Sequence, residues 1–181
     1  MNGESADLKV ENNSEIISKN LYGTSIGMST TNAQLTVDNF SKIDIESSAR
    51  RNNPLIDITT GSNDVYIRNN SSISSKHVEF DNPGTNTRAL SMSGSNNNII
   101  ITSGGTLNLN NRHYTNRPNS GSVSSNYSTI YLGNGENNFS IDNNSADRAR
   151  SQLRLTNDYA AALYSDGGHL KFNQKRILFL C

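Results

Sequence analysis

The feature that most constrains this chain is a repeated three-armed unit, clearest between Ala89 and Asn110. Three short alternating apolar segments, carried by Leu90 and Met92, Ile99 and Ile101, and Leu107 and Leu109, are separated only by turn residues, Asn, Gly and Ser. Strict alternation marks a strand, and the residues in the gaps tolerate left-handed dihedrals and bond their own backbone, which marks turns. Other stretches fall on the same template without a gap. Leu8, Val10 and Ile16, then Leu35, Val37 and Ile43, then Val65, Ile67 and Ile73 match the second arm and the start of the third. Phe139 and Ile141 match two of the three positions. The first arm recurs as Ile26 and Met28, Ile56 and Ile58, Leu90 and Met92, Ile130 and Leu132, and finally Ala161 and Leu163 ahead of Leu170 and Phe172. Copies lie roughly 27 to 40 residues apart, the spacing of repeat architectures.

Such a repeat predicts an all-β chain, a right-handed parallel β-helix (solenoid) with three short strands per coil and about five to six coils, because each arm can pair in register with its equivalent in the next coil. One coil alone buries too few apolar side chains to offset the entropy of ordering its backbone, so the coils must stack. Only 33% of the 181 residues are apolar and Asn with Ser makes up roughly three residues in ten, a composition close to that of disordered chains. The periodicity outweighs it, since the scarce apolar residues are confined to strand positions. Asn12, Asn39, Asn69 and Asn143 occupy one position of the second turn, with Ser103 in their place once, which predicts an internal Asn ladder at that corner. Their Asn-x-Ser triplets read as turn chemistry, without glycosylation.

Residues 1–173 form the expected β-helical repeat domain, and 174–181, QKRILFLC, an atypical C-terminal end. That apolar end would cap a stack of strands poorly, and the first repeat starts without a cap, so the chain reads as a fragment of a larger domain. The sole cysteine, Cys181, excludes an internal disulfide or a cysteine zinc site. Sixteen basic and sixteen acidic residues balance, so no charge patch argues for nucleic acid, and no apolar run is long enough to insert in a membrane.

The pattern LTV-N-x-S-x-I, with the phrases ALSMSGSNNNIIITSGGTLNLNN and STIYLGNGENNFSI and the Asn/Ser-rich turns, resembles the pectate lyase-like adhesive domains of large surface proteins in Gram-positive bacteria. The resemblance covers about Leu8 to Phe172. It implies a secreted, extracellular, cell-wall-associated location, attachment to the rest of a larger surface protein, and an adhesin role toward a carbohydrate or a host extracellular protein.

Motifs for chemistry are few. No nucleophile elbow, zinc motif, phosphate loop or calcium repeat occurs, so neither a cofactor nor a metal is expected. The Gly-x-Gly at LGNGENN is followed by no helix and reads as a turn, and His77, His113 and His169 share no ligand spacing. An enzymatic alternative, a polysaccharide lyase or glycoside hydrolase, needs carboxylates and a basic residue on one outer face. Residues between inward ones point outward. The first arm then presents Gly27, Asp57, Ser91, Tyr131 and Ala162, and the second Lys9, Thr36, Tyr66, Ile100, Ser140 and Lys171. Asp57 stands alone in this alignment, so no catalytic residue is assigned and the chain is read as non-catalytic. Aromatic rings beside polar donors are what glycan or peptide surfaces use. The candidate ligand-binding residues are therefore Tyr66 and Tyr131 on the arms, with Arg112, Tyr114 and Tyr127 from the longest insertion. The same insertion could instead fold back so that Tyr114 or Tyr127 covers Ile100.

Overall fold

The structure, a computed structural model, describes residues 2–20, 23–47, 53–77, 87–111, 125–142, 150–157 and 160–175. It is all-β, with strands β1 (Asn2–Val10), β2 (Glu15–Asn20), β3 (Ile26–Val37), β4 (Lys42–Ser47), β5 (Ile56–Thr59), β6 (Ser62–Ile67), β7 (Ser72–His77), β8 (Leu90–Met92), β9 (Asn96–Thr102) and β10 (Thr106–Asn111). A 3-10 turn at Ser125–Tyr127 precedes β11 (Ile130–Leu132), β12 (Glu136–Asp142), β13 (Gln152–Asn157), β14 (Leu163–Ser165) and β15 (His169–Lys175). No helix among the described residues is long and apolar enough to cross a membrane.

Among the described residues every pairing is parallel and joins equivalent arms of successive passes. One sheet runs β14, β11, β8, β5, β3, β6, β9, β12, β15, with β1 beside β3; the other runs β13, β10, β7, β4, β2. The sequence treats the first and second arms as separate strands, but β3 runs through both without a break, pairing with β5 over the first and with β6 over the second, and this joins the two runs into one sheet. The alternation of the sequence is the alternation of burial: β4, β5, β6, β9 and β12 each bury every second side chain. These inward residues form one apolar cluster from Ala6 to Ile141 between the sheets.

The final pass departs from the sequence alignment. Ile130 and Leu132 pair with Leu163 and Ser165, not with Ala161 and Leu163, and Phe139 pairs with Phe172, not with Leu170. The outward positions of this pass are therefore Tyr164 and Asn173, where Ala162 and Lys171 were expected. Stacked rings at 5.4 Å between Phe139 and Phe172 and at 5.9 Å between Tyr131 and Tyr164 accompany this register, and aromatic stacking across neighbouring strands favours it.

The corners explain the Asn-rich composition. Asn12 and Asn13, Asn39 and Phe40, and Asn69 and Asn70 all have positive φ between 53° and 61°, a pair of left-handed residues that reverses the chain. Asn tolerates this conformation better than most residues. The turn directs Asn12, Asn39 and Asn69 to solvent, so the expected internal Asn ladder is not at this corner. Asn39 does donate to Asn12 Oδ1 at 2.9 Å on the surface, but Asn69 donates instead to Asp38. Asn143 lies outside the described residues. The residue after each turn points inward, two places before the first apolar residue of the third arm, and a Ser ladder runs there: Ser14 N–H donates to Ser41 Oγ and Ser41 N–H to Ser71 Oγ, both at 3.1 Å. The internal Asn ladder stands at the other corner, for the same reason of alternation. Asn63, Asn97 and Asn137 each lie two residues before an inward apolar residue; Asn63 donates to Asn97 Oδ1 at 2.9 Å and Asn97 to Asn137 Oδ1 at 2.7 Å.

Tight stacking at this corner leaves no room for a side chain on the intervening turns. A Cβ at Gly135 would lie 1.7 Å from the carbonyl oxygen of Ser95, and its φ of 131° also suits glycine.

Candidate functional site

The outer row of the first arm reads Gly27, Asp57, Ser91, Tyr131, Tyr164, each beside the next through the parallel register. The sequence reading places Ser91 in solvent. It is 2% exposed, because it lies between Asp57, to which its hydroxyl is bonded, and the ring of Tyr131. Tyr164 stacks on Tyr131 at an interplanar angle of 10°, and the guanidinium of Arg88 lies 3.6 Å from the Tyr131 ring centre. The Tyr131 hydroxyl donates to Asp166 at 3.0 Å.

Arg88 is anchored from outside the strands. Its Nε donates to the Ser125 carbonyl at 3.1 Å, and its Nη2 to Ser125 Oγ and to Asn126 Oδ1 at 3.3 and 3.0 Å. The 3-10 turn that supplies these acceptors also places Tyr127, whose carbonyl accepts from Asn111 and Asn157 side chains. Tyr127 therefore stands at the corner between the end of the third arm and the start of the first.

Burial dominates the electrostatics of this cluster. It pushes the Asp57 carboxyl above its usual range, against the pull of the Ser91 hydroxyl and of Arg88. It also raises Tyr131, helped by the bond to Asp166, and lowers Arg88, opposed by Tyr131, Asp57 and Asp166. Asp57 does not stand alone, then: it and Asp166 both act on one cation. Because the folded Asp57 holds its proton more tightly than the unfolded one, folding is favoured below the ordinary carboxylate range and loses that contribution as pH rises through the raised value. Asp57→Asn is expected to flatten this dependence and to melt at or above the parent temperature at pH 7, measured by thermal denaturation from pH 3 to 7. A parent melt that rises steadily over that acid window while the variant's does not would contradict the assignment.

The second-arm row is Lys9, Thr36, Tyr66, Ile100, Ser140, Asn173. Tyr66 is half-buried and its hydroxyl donates to Asp64 at 3.3 Å; burial raises it, as does that carboxylate. Asn98 donates to the other oxygen of Asp64 at 2.7 Å. Tyr66 and Tyr131 thus lie on different strand runs and do not form one site. Arg112 and Tyr114, and with them His113, lie outside the described residues. Among those described, no three His, Cys, Asp or Glu side chains gather as a metal site.

Sequence reasoning missed Arg88, Tyr164 and Asp166. Arg88 precedes the first arm by two residues and depends on the insertion for its anchor, while Tyr164 and Asp166 were displaced by the two-residue slip in the last pass. The Tyr131–Tyr164 match of like residues was the signal that could have corrected that slip.

In chemical terms the row offers two stacked π faces, a fixed cation and two carboxylates. Arg88 keeps its proton at any working pH and cannot act as a base. Tyr131 is likewise held protonated. The arrangement is equipped for contact with a polyhydroxylated or peptide ligand, through ring faces, charge-assisted bonds and carboxylate acceptors. Comparisons with protein-family models, curated proteins and solved structures returned no match.

Proposed function

We propose that the parallel passes wind as a right-handed β-helix and that the protein is a non-catalytic structural and adhesive module of a larger bacterial surface protein, displayed outside the cell in association with the wall. The resemblance to pectate lyase-like adhesive domains motivates the location. The observation that carries the function is the outer row of Tyr131 and Tyr164 under Arg88, flanked by Asp57 and Asp166. Side chains locked in a ladder lose little further entropy on binding, which suits a rigid surface for a glycan or a host extracellular protein.

Binding to immobilised glycans and extracellular matrix proteins tests the reading. Tyr131→Ala should weaken capture roughly tenfold, as loss of a central aromatic anchor does, whereas Tyr66→Ala, on the other strand run, should change it little. Capture indifferent to Tyr131→Ala, or no capture of any of these ligands, would refute it.

One observation favours a second reading, a polysaccharide lyase or glycoside hydrolase: Asp57, Arg88 and Asp166 meet on one face. Cleavage of acidic polysaccharides in the presence of calcium, lost in Asp57→Asn, would establish that reading in place of the first.

A further inference from the structure

We propose that the corner between the second and third arms carries a binding site for a neutral glycan, with Phe40 as the surface on which a sugar ring stacks and the amides of Asn13 and Asn70 as the groups that hold its hydroxyls. The site lies apart from the first-arm row and is independent of the adhesive reading of that row. Phe40 is out of place in two respects. Its φ of 61° lies in the left-handed region, where a bulky residue is an outlier, and its side chain is 62% exposed. The register that pairs Lys42 with Glu15 on one side and with Ser72 on the other sets Phe40 between Asn13 and Asn70, with Gly104 one pass further on. All three share its positive φ. Asn and Gly suit that conformation, so the turn forms without Phe, which adds strain there and buries little. A strained backbone that gains no burial in return points to function.

The surroundings specify the ligand. Neighbouring strands stand about 4.8 Å apart, so the exposed side chains of Asn13 and Asn70 flank the ring at one strand spacing on either side. An amide donates and accepts at once, as a sugar hydroxyl does, and an aromatic face packs against the C–H face of a pyranose. Charge favours a neutral sugar: the cations beside the corner, Lys42 and Arg68, are held by Glu15 at 2.6 Å and by Asp38 at 2.7 Å. A protein partner would need a wider apolar patch around the ring. The other large apolar side chains exposed among the described residues, Ile17, Leu170 and Phe172, lie on β2 and β15 and not in this turn.

Titration of the isotope-labelled chain with cellohexaose and with maltohexaose, followed by the backbone and side-chain amide signals in NMR spectra, tests this. The expected result is saturable shifts at Asn13, Phe40 and Asn70 with at least one of the two neutral sugars, and smaller shifts with an anionic hyaluronan hexasaccharide. Phe40→Asn places in this turn the residue its neighbours already use. It should abolish the shifts and melt at or above the parent temperature, by roughly 2–4 °C if the strain is fully relieved. Asn70→Gly keeps the turn, as Gly104 does, and should weaken binding roughly three- to tenfold, on the scale of one lost hydrogen bond. Tyr131→Ala should leave the shifts intact, which separates this site from the first-arm row. No shift at this corner with either neutral sugar overturns the proposal, as do shifts that survive Phe40→Asn. A melting temperature lowered by Phe40→Asn would assign the ring to holding the corner and likewise overturn it. A stronger response to the anionic sugar, or loss in Phe40→Asn of capture by matrix proteins with sugar binding unchanged, would overturn the assignment of the ligand.

Discussion

Ile101→Asp is expected to abolish the cooperative thermal melt of this chain and leave a circular dichroism spectrum without its β signature. Ile101 is fully buried, and its partners across the strands are Ile67 and Ile141, so no polar atom is at hand to receive a carboxylate. Burying an unpaired charge there costs more than about 4 kcal/mol, a large share of the 5–15 kcal/mol that holds a domain of ordinary stability. Ile101→Val in the same place removes one methylene and should cost only about 0.5–1.5 kcal/mol. The contrast between the two separates charge burial from loss of packing. The outer position Ser91 provides a second contrast. Alternation alone would make Ser91→Asp silent, but Ser91 is covered and bonded to Asp57, so the substitution sets two carboxylates side by side. It should cost about 1–3 kcal/mol at neutral pH and progressively less as acid protonates the pair. Equal melting temperatures for Ser91→Asp and the parent would show that the row is open to water.

These two positions also show what could be read from the sequence. Ile101 was legible because inward residues obey a period of two and the register is repeated: one strand's assignment is supported by its neighbours on either side. The repeated arms, the inward faces and the turns follow from that single regularity. The outward faces do not, because whether an outward residue is exposed depends on what lies over it, and nothing local encodes this. Ser91 points away from the core and is nevertheless buried. Arg88 lies outside the repeat template, and its acceptors Ser125 and Asn126 come from the longest insertion between coils. Tyr131 was found because it is outward and aromatic; its partners were not, since Tyr164 required the right register in the last pass, where Ser165 and Gln174 replace the usual apolar residues and the pattern is weakest. Loss of pattern at the end of the repeat cost the site one side of its stack.

The corners carry the second large effect. Asn97 is 1% exposed and stands at the centre of the internal ladder: it accepts from Asn63, and donates to Asn137 Oδ1 and to the Gly94 carbonyl at 2.7 and 2.9 Å. Asn97→Ala removes all three bonds and strands one donor and two acceptors away from water. At about 1–3 kcal/mol for each buried group left unsatisfied, relaxed by partial rearrangement, the loss should be about 3–6 kcal/mol. Asn63→Ala should cost much less, although Asn63 is as deeply buried. Its Oδ1 has no partner, and the equivalent position in the preceding passes is already alanine, Ala33 and Ala6. Truncating Asn63 removes one bond and one unsatisfied oxygen together and lets the run of small residues continue for one more pass. A chemical-denaturation midpoint for Asn97→Ala far below that of Asn63→Ala is therefore expected. Similar midpoints would mean that these amides act as space-filling groups and that the strands' own backbone pairing, not the ladder, holds the corner in register.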